Sequence, residues 1–372
     1  MSNYYDLRDD IKKYPAAGLI IVFGGRSTGK TYSALRYCIE ENKKFAFLKR
    51  TIKDVDGLIG GRTIKNGASA SYKNATVDLV DADKSCFAPL NRDFNWRYLP
   101  WGTSGQEGEA DVYHTDDKNQ PVGKSIGRIL ALNKAAKYKG FDISDTDIII
   151  FDEFVKPSFE KRTTGEDEMI VNLYKTIERD RELRGKETLK LIALANAESI
   201  VSPLIAAFDL YNELAKMQRE KMEYMYLKDR GILLHMVKTP DAIVEADKRS
   251  FLYRALPDGS PMKEIIFGNT FAHDDLTMVV GKHPIKNYIC EARVIFHGKM
   301  SFVYYNQQTG QRYITYIKYN KAPLYEFDLG VTVSKGLFED YVSSKVFAFT
   351  QVLPEFETDD LKYLFLENSK YR

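Results

Sequence analysis

The sequence predicts an α/β protein with a parallel central sheet, followed by a helical linker and a smaller α+β C-terminal domain. Three observations carry that prediction. A glycine-rich loop, Gly24-Gly25-Arg26-Ser27-Thr28-Gly29-Lys30-Thr31, stands between the apolar run Leu19 to Val22 and a helix-like segment. A second apolar run, from Asp147 to Phe151, ends in the adjacent acids Asp152 and Glu153. From Pro257 onward the texture changes to aromatic strands separated by turns. The boundaries implied are residues 1–205 for the first domain, 206–255 for a helical linker or lid with a possible extra strand, and 256–372 for the last domain.

Composition narrows the class. A chain of 372 residues is long enough for two domains and a large core. With 44% hydrophobic and 28% charged residues it is neither a disordered tract nor a membrane protein. No apolar run approaches the roughly 18 residues of a membrane span, and the opening MSNYYDLRDDIKKYP has no signal-peptide core, so a cytoplasmic location is expected. Cys38, Cys86 and Cys290 are too scattered for a disulfide framework or a CxxC metal site, and the five histidines form no cluster. A net charge of +2 excludes a polycation, so any contact with nucleic acid must be a local patch or the surface of a ring.

The elements follow in order. Residues up to Tyr14-Pro15 form a polar, aromatic lead-in, which in many nucleotide-binding folds lies against the base. The loop after the first strand fits GxxxxGK[ST] at Gly24, Gly29, Lys30 and Thr31. Glycines let the backbone N–H groups of Gly25, Arg26, Ser27 and Thr28 wrap an anion, and the helix from about Lys30 to Glu41 points its positive end at the same place. In such a loop the lysine reaches the β- and γ-phosphates and the threonine hydroxyl ligates Mg²⁺. The stretch Lys43 to Arg50 is a second, short buried-type strand ending in a basic turn, Lys49-Arg50, with Lys53 just beyond. Its side chains fit a phosphate or DNA contact, or a solvated turn. Residues 55–140 carry turns at Asp56-Gly57 and Gly60-Gly61, a small polar loop at Gly67 to Asn74, and short strands among loops from Trp96 to Gly123. The segment Lys124 to Lys139 begins like a strand, and its lysines suit a solvated face or a nucleic-acid backbone.

The run Asp147 to Phe154 is a central parallel strand ending in a Walker B pattern. There Asp152 would hold Mg²⁺ through its water shell and Glu153 would polarise the attacking water. Met169 to Ile177 is helical and leads to Arg179, Arg181 and Arg184, a charged helix end or the place from which an arginine is offered across a subunit interface. Thr188 to Ala197 is another buried-type strand that ends in a polar amide, Asn196, which can hydrogen-bond the attacking water or the γ-phosphate. Leu204 to about Leu227 is the longest helical candidate, and Gly231 to Val237 a further strand, expected at an edge of the same sheet. In the last domain Arg293 to His297, Phe302 to Tyr305 and Arg312 to Tyr319 are strands, with a hairpin turn at Asn306 to Gln311 and a helix from Asp340 to Phe349. Its acids Asp274, Asp275, Glu291 and Asp328 have no two-metal spacing and read as structural or solvated carboxylates.

Taken together, Phe23 to Thr31, Ile149 to Phe154, Thr176 to Glu182 and Leu194 to Pro203 resemble the DNA-packaging ATPase of small tailed podoviruses. The resemblance covers about residues 15–205. It implies an ASCE-type P-loop ATPase domain, a helical linker and a degenerate RNase H-type, nuclease-like C-terminal domain. It also implies a homo-oligomeric ring, expected to be a pentamer, which works on double-stranded DNA at the procapsid portal together with a packaging RNA. Carried over by motif, Gly24, Gly29, Lys30 and Thr31 bind ATP and Mg²⁺, Asp152 supports the metal, and Glu153 is the catalytic glutamate. Asn196 matches the polar sensor. Arg179 matches the trans-acting arginine with Arg181 in reserve, and Lys53 matches an interface residue. The expected function is ATP-driven packaging of a viral genome. The alternatives are a terminase-type motor with a working nuclease, and an assembly protein that nucleotide merely switches.

Overall fold

The computed structural model describes residues 4–59, 63–64, 85–103, 106–140, 143–155, 165–197, 200–260, 263, 266–267, 278–282, 284–319, 321–348 and 352–369. The turn at Gly60-Gly61, the loop from Gly67 to Asn74, and Asp274 and Asp275 lie outside the described residues. The chain divides into two compact units, one made of residues 1–156, 162–198 and 222–271, the other of 157–161, 199–221 and 272–372.

The first unit is built on one sheet of ten strands. In chain order these are β1 (Leu19–Gly24), β2 (Phe45–Lys49), β3 (Thr63–Ile64), β4 (Tyr98–Thr103), β5 (Gln106–Thr115), β6 (Pro121–Ala131), β7 (Ile148–Asp152), β8 (Lys190–Asn196), β9 (Tyr224–Leu227) and β10 (Ile232–Val237). Their order across the sheet is β3-β4-β5-β6-β2-β7-β8-β1-β10-β9. The six neighbours from β6 to β10 all pair in parallel. Every residue of β1 and β7 is buried, as unbroken apolar runs require when both faces of a parallel sheet are covered. Helices α1 (Leu7–Lys13), α2 (Lys30–Glu40), α3 (Ile52–Ile59), α4 (Ala88–Phe94) and α5 (Glu166–Glu178) belong to this unit, as do α8 (Asp241–Arg249) and α9 (Phe251–Ala255). Side chains from β1, β2, β6, β7 and β8 meet Leu35 and Cys38 of α2, Val55 of α3 and Leu90 of α4 in one apolar core.

Three expectations change here. The strand expected at an edge, Gly231 to Val237, is β10 and lies inside the sheet between β1 and β9, because the chain from Tyr224 adds a strand outside it. Trp96 to Gly123 is no set of loops around short strands: β4 and β5 run antiparallel, and β5 continues antiparallel against β6. Glycine, proline and acidic residues conceal these strands in the sequence, although Leu99, Trp101, Ala110 and Val112 are buried. The single helix expected from Leu204 to Leu227 is broken into α6 (Pro203–Ala207) and α7 (Tyr211–Glu220), and Tyr224–Leu227 is a strand. Asp209 and Lys221 carry positive φ angles, 48° and 53°, and each stops a helix. One close approach also stands out: a Cβ on Gly127 would sit 2.6 Å from the Phe45 ring of the paired strand β2, so only glycine lets these strands meet.

The second unit has a five-stranded sheet. Its strands are β11 (Tyr288–Phe296), β12 (Lys299–Asn306), β13 (Arg312–Thr315), β14 (Tyr325–Asp328) and β15 (Glu355–Phe356), in the order β14-β11-β12-β13-β15. The hairpin turn read at Asn306 to Gln311 joins β12 to β13, and the Asn306 carboxamide oxygen accepts from the Gln308 and Thr309 N–H groups at 3.0 and 3.3 Å. The expected late helix begins earlier, as α10 (Thr332–Tyr341), and runs on as a π-helical turn over Val342–Val346. Phe338 and Val342 pack with Val294, Val303, Ile314 and Phe365 of α11 (Asp359–Glu367) as the core of this unit.

Candidate active site

The register of the parallel strands assembles the site. On neighbouring strands Gly24 pairs with Asn196, and Asp152 pairs with Leu194 two residues before it. The carboxyl ends of β1, β8, β7 and β2 therefore bring Gly24, Asn196, Asp152 and Lys49 together, where parallel α/β sheets bind ligands. Gly29 adopts φ +89° and caps α2 without a side-chain hydrogen bond, leaving the helix's first amides for another acceptor. Ser27 also has positive φ, at 61°, and the Thr28 hydroxyl donates to Gly25 O at 2.9 Å, folding the loop back on itself.

Lys30 is curled into this loop. Its Nζ donates to Gly24 O at 2.9 Å, Gly25 O at 2.7 Å and the Thr28 hydroxyl at 3.2 Å, and lies 3.4 Å from Asn196 Oδ1. Burial pushes its ammonium down to about 8, against the opposing pull of Asp152 and Glu153. The Thr31 hydroxyl donates to Asp152 Oδ1 at 2.9 Å. The other carboxylate oxygen of Asp152 accepts from Lys49 Nζ at 2.8 Å, and Lys49 is 3.6 Å from Glu153 Oε2. Burial alone would lower the Lys49 ammonium, but the two carboxylates outweigh it and hold it above its ordinary value.

Glu153 follows β7 with φ +54°, a left-handed conformation that costs a non-glycine residue free energy, and its side chain is 67% exposed. Arg50 holds this turn. Its guanidinium donates to Glu153 O at 3.0 Å, Phe154 O at 2.9 Å and the Glu166 carboxylate at 3.0 Å at the start of α5, all from a buried position. The three basic residues that fit a phosphate or DNA contact, or a solvated turn, lie in three different settings. Lys49 faces the acids and Arg50 braces the backbone behind them, whereas Lys53 is exposed on α3. Sequence reasoning missed both roles, because they arise from the pairing of β2 with β7.

The two candidate arginines separate cleanly. Arg179 ends α5, is exposed, and has no hydrogen bond or ion pair among the described residues. Arg181 is only 3% exposed. It donates to Glu187 O at 3.1 Å, to Ser144 O at 3.3 Å, to Thr146 O, and to Asp147 Oδ1 at 3.1 Å. Arg26 and Ser27 are exposed on the loop.

The loop, acids and amide fit a magnesium nucleotide. Thr31 and Asp152 offer a hydroxyl and a carboxylate side by side, a hard oxygen pair of the kind Mg²⁺ takes. The α2 amides and Lys30 supply donors and positive charge for phosphate. Residues 118–327, more than half of the chain, match the podovirus DNA encapsidation protein (Gp16) family. The chain belongs to that family. It is a phage DNA-packaging protein, as the resemblance implied, but the matched span is not the one the motifs marked. It includes the acids, Arg179 and Asn196, extends well past residue 205, and leaves out the glycine-rich loop. No curated protein matches the chain. Among solved structures it is similar to the Phi-28 gp11 DNA packaging motor (TM-score 0.58, 16% identity, covering 100% of this chain and 99% of that one). It is also similar to the bacteriophage Phi-29 viral genome packaging motor assembly (TM-score 0.53, 16% identity, 98% of each chain). These likenesses extend over both units and bear on the fold. No described helix is long and apolar enough to cross a membrane.

Proposed function

We propose that this protein is the ATP-hydrolysing motor of genome packaging, working as a homo-oligomeric ring that drives double-stranded DNA into a procapsid. The observation that carries the reading is the convergence of Lys30, Thr31, Asp152, Glu153 and Asn196 at the ends of adjacent parallel strands. In this reading the loop amides and Lys30 bind the phosphates of ATP. Mg²⁺, held by Thr31 and Asp152, would offset charge on the β- and γ-phosphates. Glu153, exposed and aimed out of the strand by its backbone, accepts the proton of the attacking water. Asn196 orients that water or the γ-phosphate. Arg179, exposed at the end of α5, serves the site of the next subunit, whereas Arg181 is engaged within its own. With a net charge of only +2, grip on DNA comes from assembling several subunits, with the portal and a packaging RNA as the platform.

A working nuclease in the second unit is the less favoured variant of this reading. Glu291 is held by Arg312 at 2.8 and 3.0 Å and by the Tyr341 hydroxyl at 3.0 Å, and Asp328 Oδ1 accepts from Gly330 N at 2.9 Å. Nicking of plasmid DNA by the protein in Mn²⁺ would restore it. The test of the motor itself is steady-state ATP hydrolysis against protein concentration, with and without double-stranded DNA. A more than linear rise that DNA stimulates is expected. Linear turnover indifferent to DNA, on assembled procapsids as well as in solution, overturns the proposal.

A further inference from the structure

The lead-in before α1 lies on the glycine-rich loop. Tyr5 N–H donates to Thr28 O at 3.1 Å, and a Cβ built on Gly29 would stand 3.6 Å from Cδ1 of Tyr4. The segment is fastened firmly at every following turn. Leu7 N–H donates to the Ser33 hydroxyl of α2 at 2.8 Å, and Arg8 pairs with Glu40 at the far end of that helix. Asp10, buried, accepts from the Tyr5 hydroxyl at 3.0 Å and lies 2.8 Å from Nδ1 of the buried His235 on β10. Tyr14 packs on Tyr226 of β9, with ring centroids 5.0 Å apart.

Against this setting Tyr4 is conspicuous, because the residue is 46% exposed while Tyr5 beside it is buried. An aromatic face held at the rim of a phosphate-binding loop and left open to solvent suits a flat, apolar ligand surface attached to the phosphates. We infer that Tyr4 is the base-stacking residue for the bound nucleoside triphosphate, with the purine lying against its ring. The inference rests on the nucleotide-binding reading of the loop proposed above. Stacking of a base on an aromatic ring tolerates any base, so Tyr4 contributes affinity and base placement, while discrimination among bases is left to other groups.

Calorimetric titration of the full chain in Mg²⁺ with ATP and with inorganic tripolyphosphate tests this. Tyr4→Ala should weaken ATP binding about tenfold or more and leave tripolyphosphate binding unchanged, since the latter has no base. Tyr4→Phe should bind ATP as the wild type does. Wild-type ATP affinity in Tyr4→Ala, or a proportional loss of tripolyphosphate binding, overturns the inference while sparing the loop. Equal tripolyphosphate binding by the wild type and Lys30→Ala overturns the loop reading, and the base inference with it.

Discussion

Lys30 carries its charge where burial discourages it, and in the proposed nucleotide site this predicts a pH dependence of binding with a definite sign. Burial holds its ammonium down to about 8 in the free protein, and phosphate oxygens beside it would favour the protonated form and raise that value. Between the two values binding takes up a proton, so ATP affinity should fall as pH rises through about 8, by up to about tenfold per unit. Affinities measured from pH 7 to 10 check this, and a flat profile counts against Lys30 as the phosphate ligand. Lys49 makes a second prediction. It neutralises Asp152 in a largely buried pair, with side chains 16% and 11% exposed. Lys49→Ala leaves an uncompensated carboxylate and should destabilise the protein by about 3 kcal/mol. Because a cation between Thr31 and Asp152 restores the balance, millimolar Mg²⁺ should recover part of the lost melting temperature. A loss that Mg²⁺ leaves untouched would remove Asp152 from the metal's surroundings.

At the scale of elements, the turn after α5 allows the two arginines to be told apart by experiment. Arg179→Ala should change stability by less than about 0.5 kcal/mol, as surface substitutions do, yet stop hydrolysis by the assembled ring. Arg181→Ala should cost about 3 kcal/mol, because Asp147 and the carbonyls of Ser144, Thr146 and Glu187 lose a buried donor. The opposite pattern in thermal melts and turnover would reverse the assignment. Which elements were legible follows the same physics. The parallel strands β1, β2, β7 and β8 are buried on both faces and announce themselves as apolar runs. Strands β4 and β5 do not, since Pro100, Gly102, Gly108 and Glu109 interrupt any period. The break at Asp209 is set by one backbone dihedral that no spacing of Leu210, Leu214 and Met217 encodes. At the site, the loop and acids were legible from local order. The roles of Lys49 and Arg50 depend instead on β2 lying beside β7, a long-range pairing.

For the whole molecule, near neutrality is the governing property of a protein that handles DNA. With 54 basic against 52 acidic side chains, an isolated subunit should bind double-stranded DNA no more tightly than micromolar at physiological salt, and weaken steeply as salt is added. Fluorescence anisotropy on dilute protein checks this; nanomolar binding by the monomer would show that a single chain carries the track-gripping surface. Assembly then matters, and the setting of Arg179 bears on it. The chain before it is helix α5, and the chain after it is tied down by the Arg181 hydrogen bonds to Ser144, Thr146 and Glu187. An arginine offered from such a fixed ledge has only its own side-chain rotamers to surrender when it docks. In the ring proposed above, little of such a contact's free energy would be spent on ordering backbone, so the contact would be able to close and reopen at each catalytic cycle without the subunits having to separate or refold.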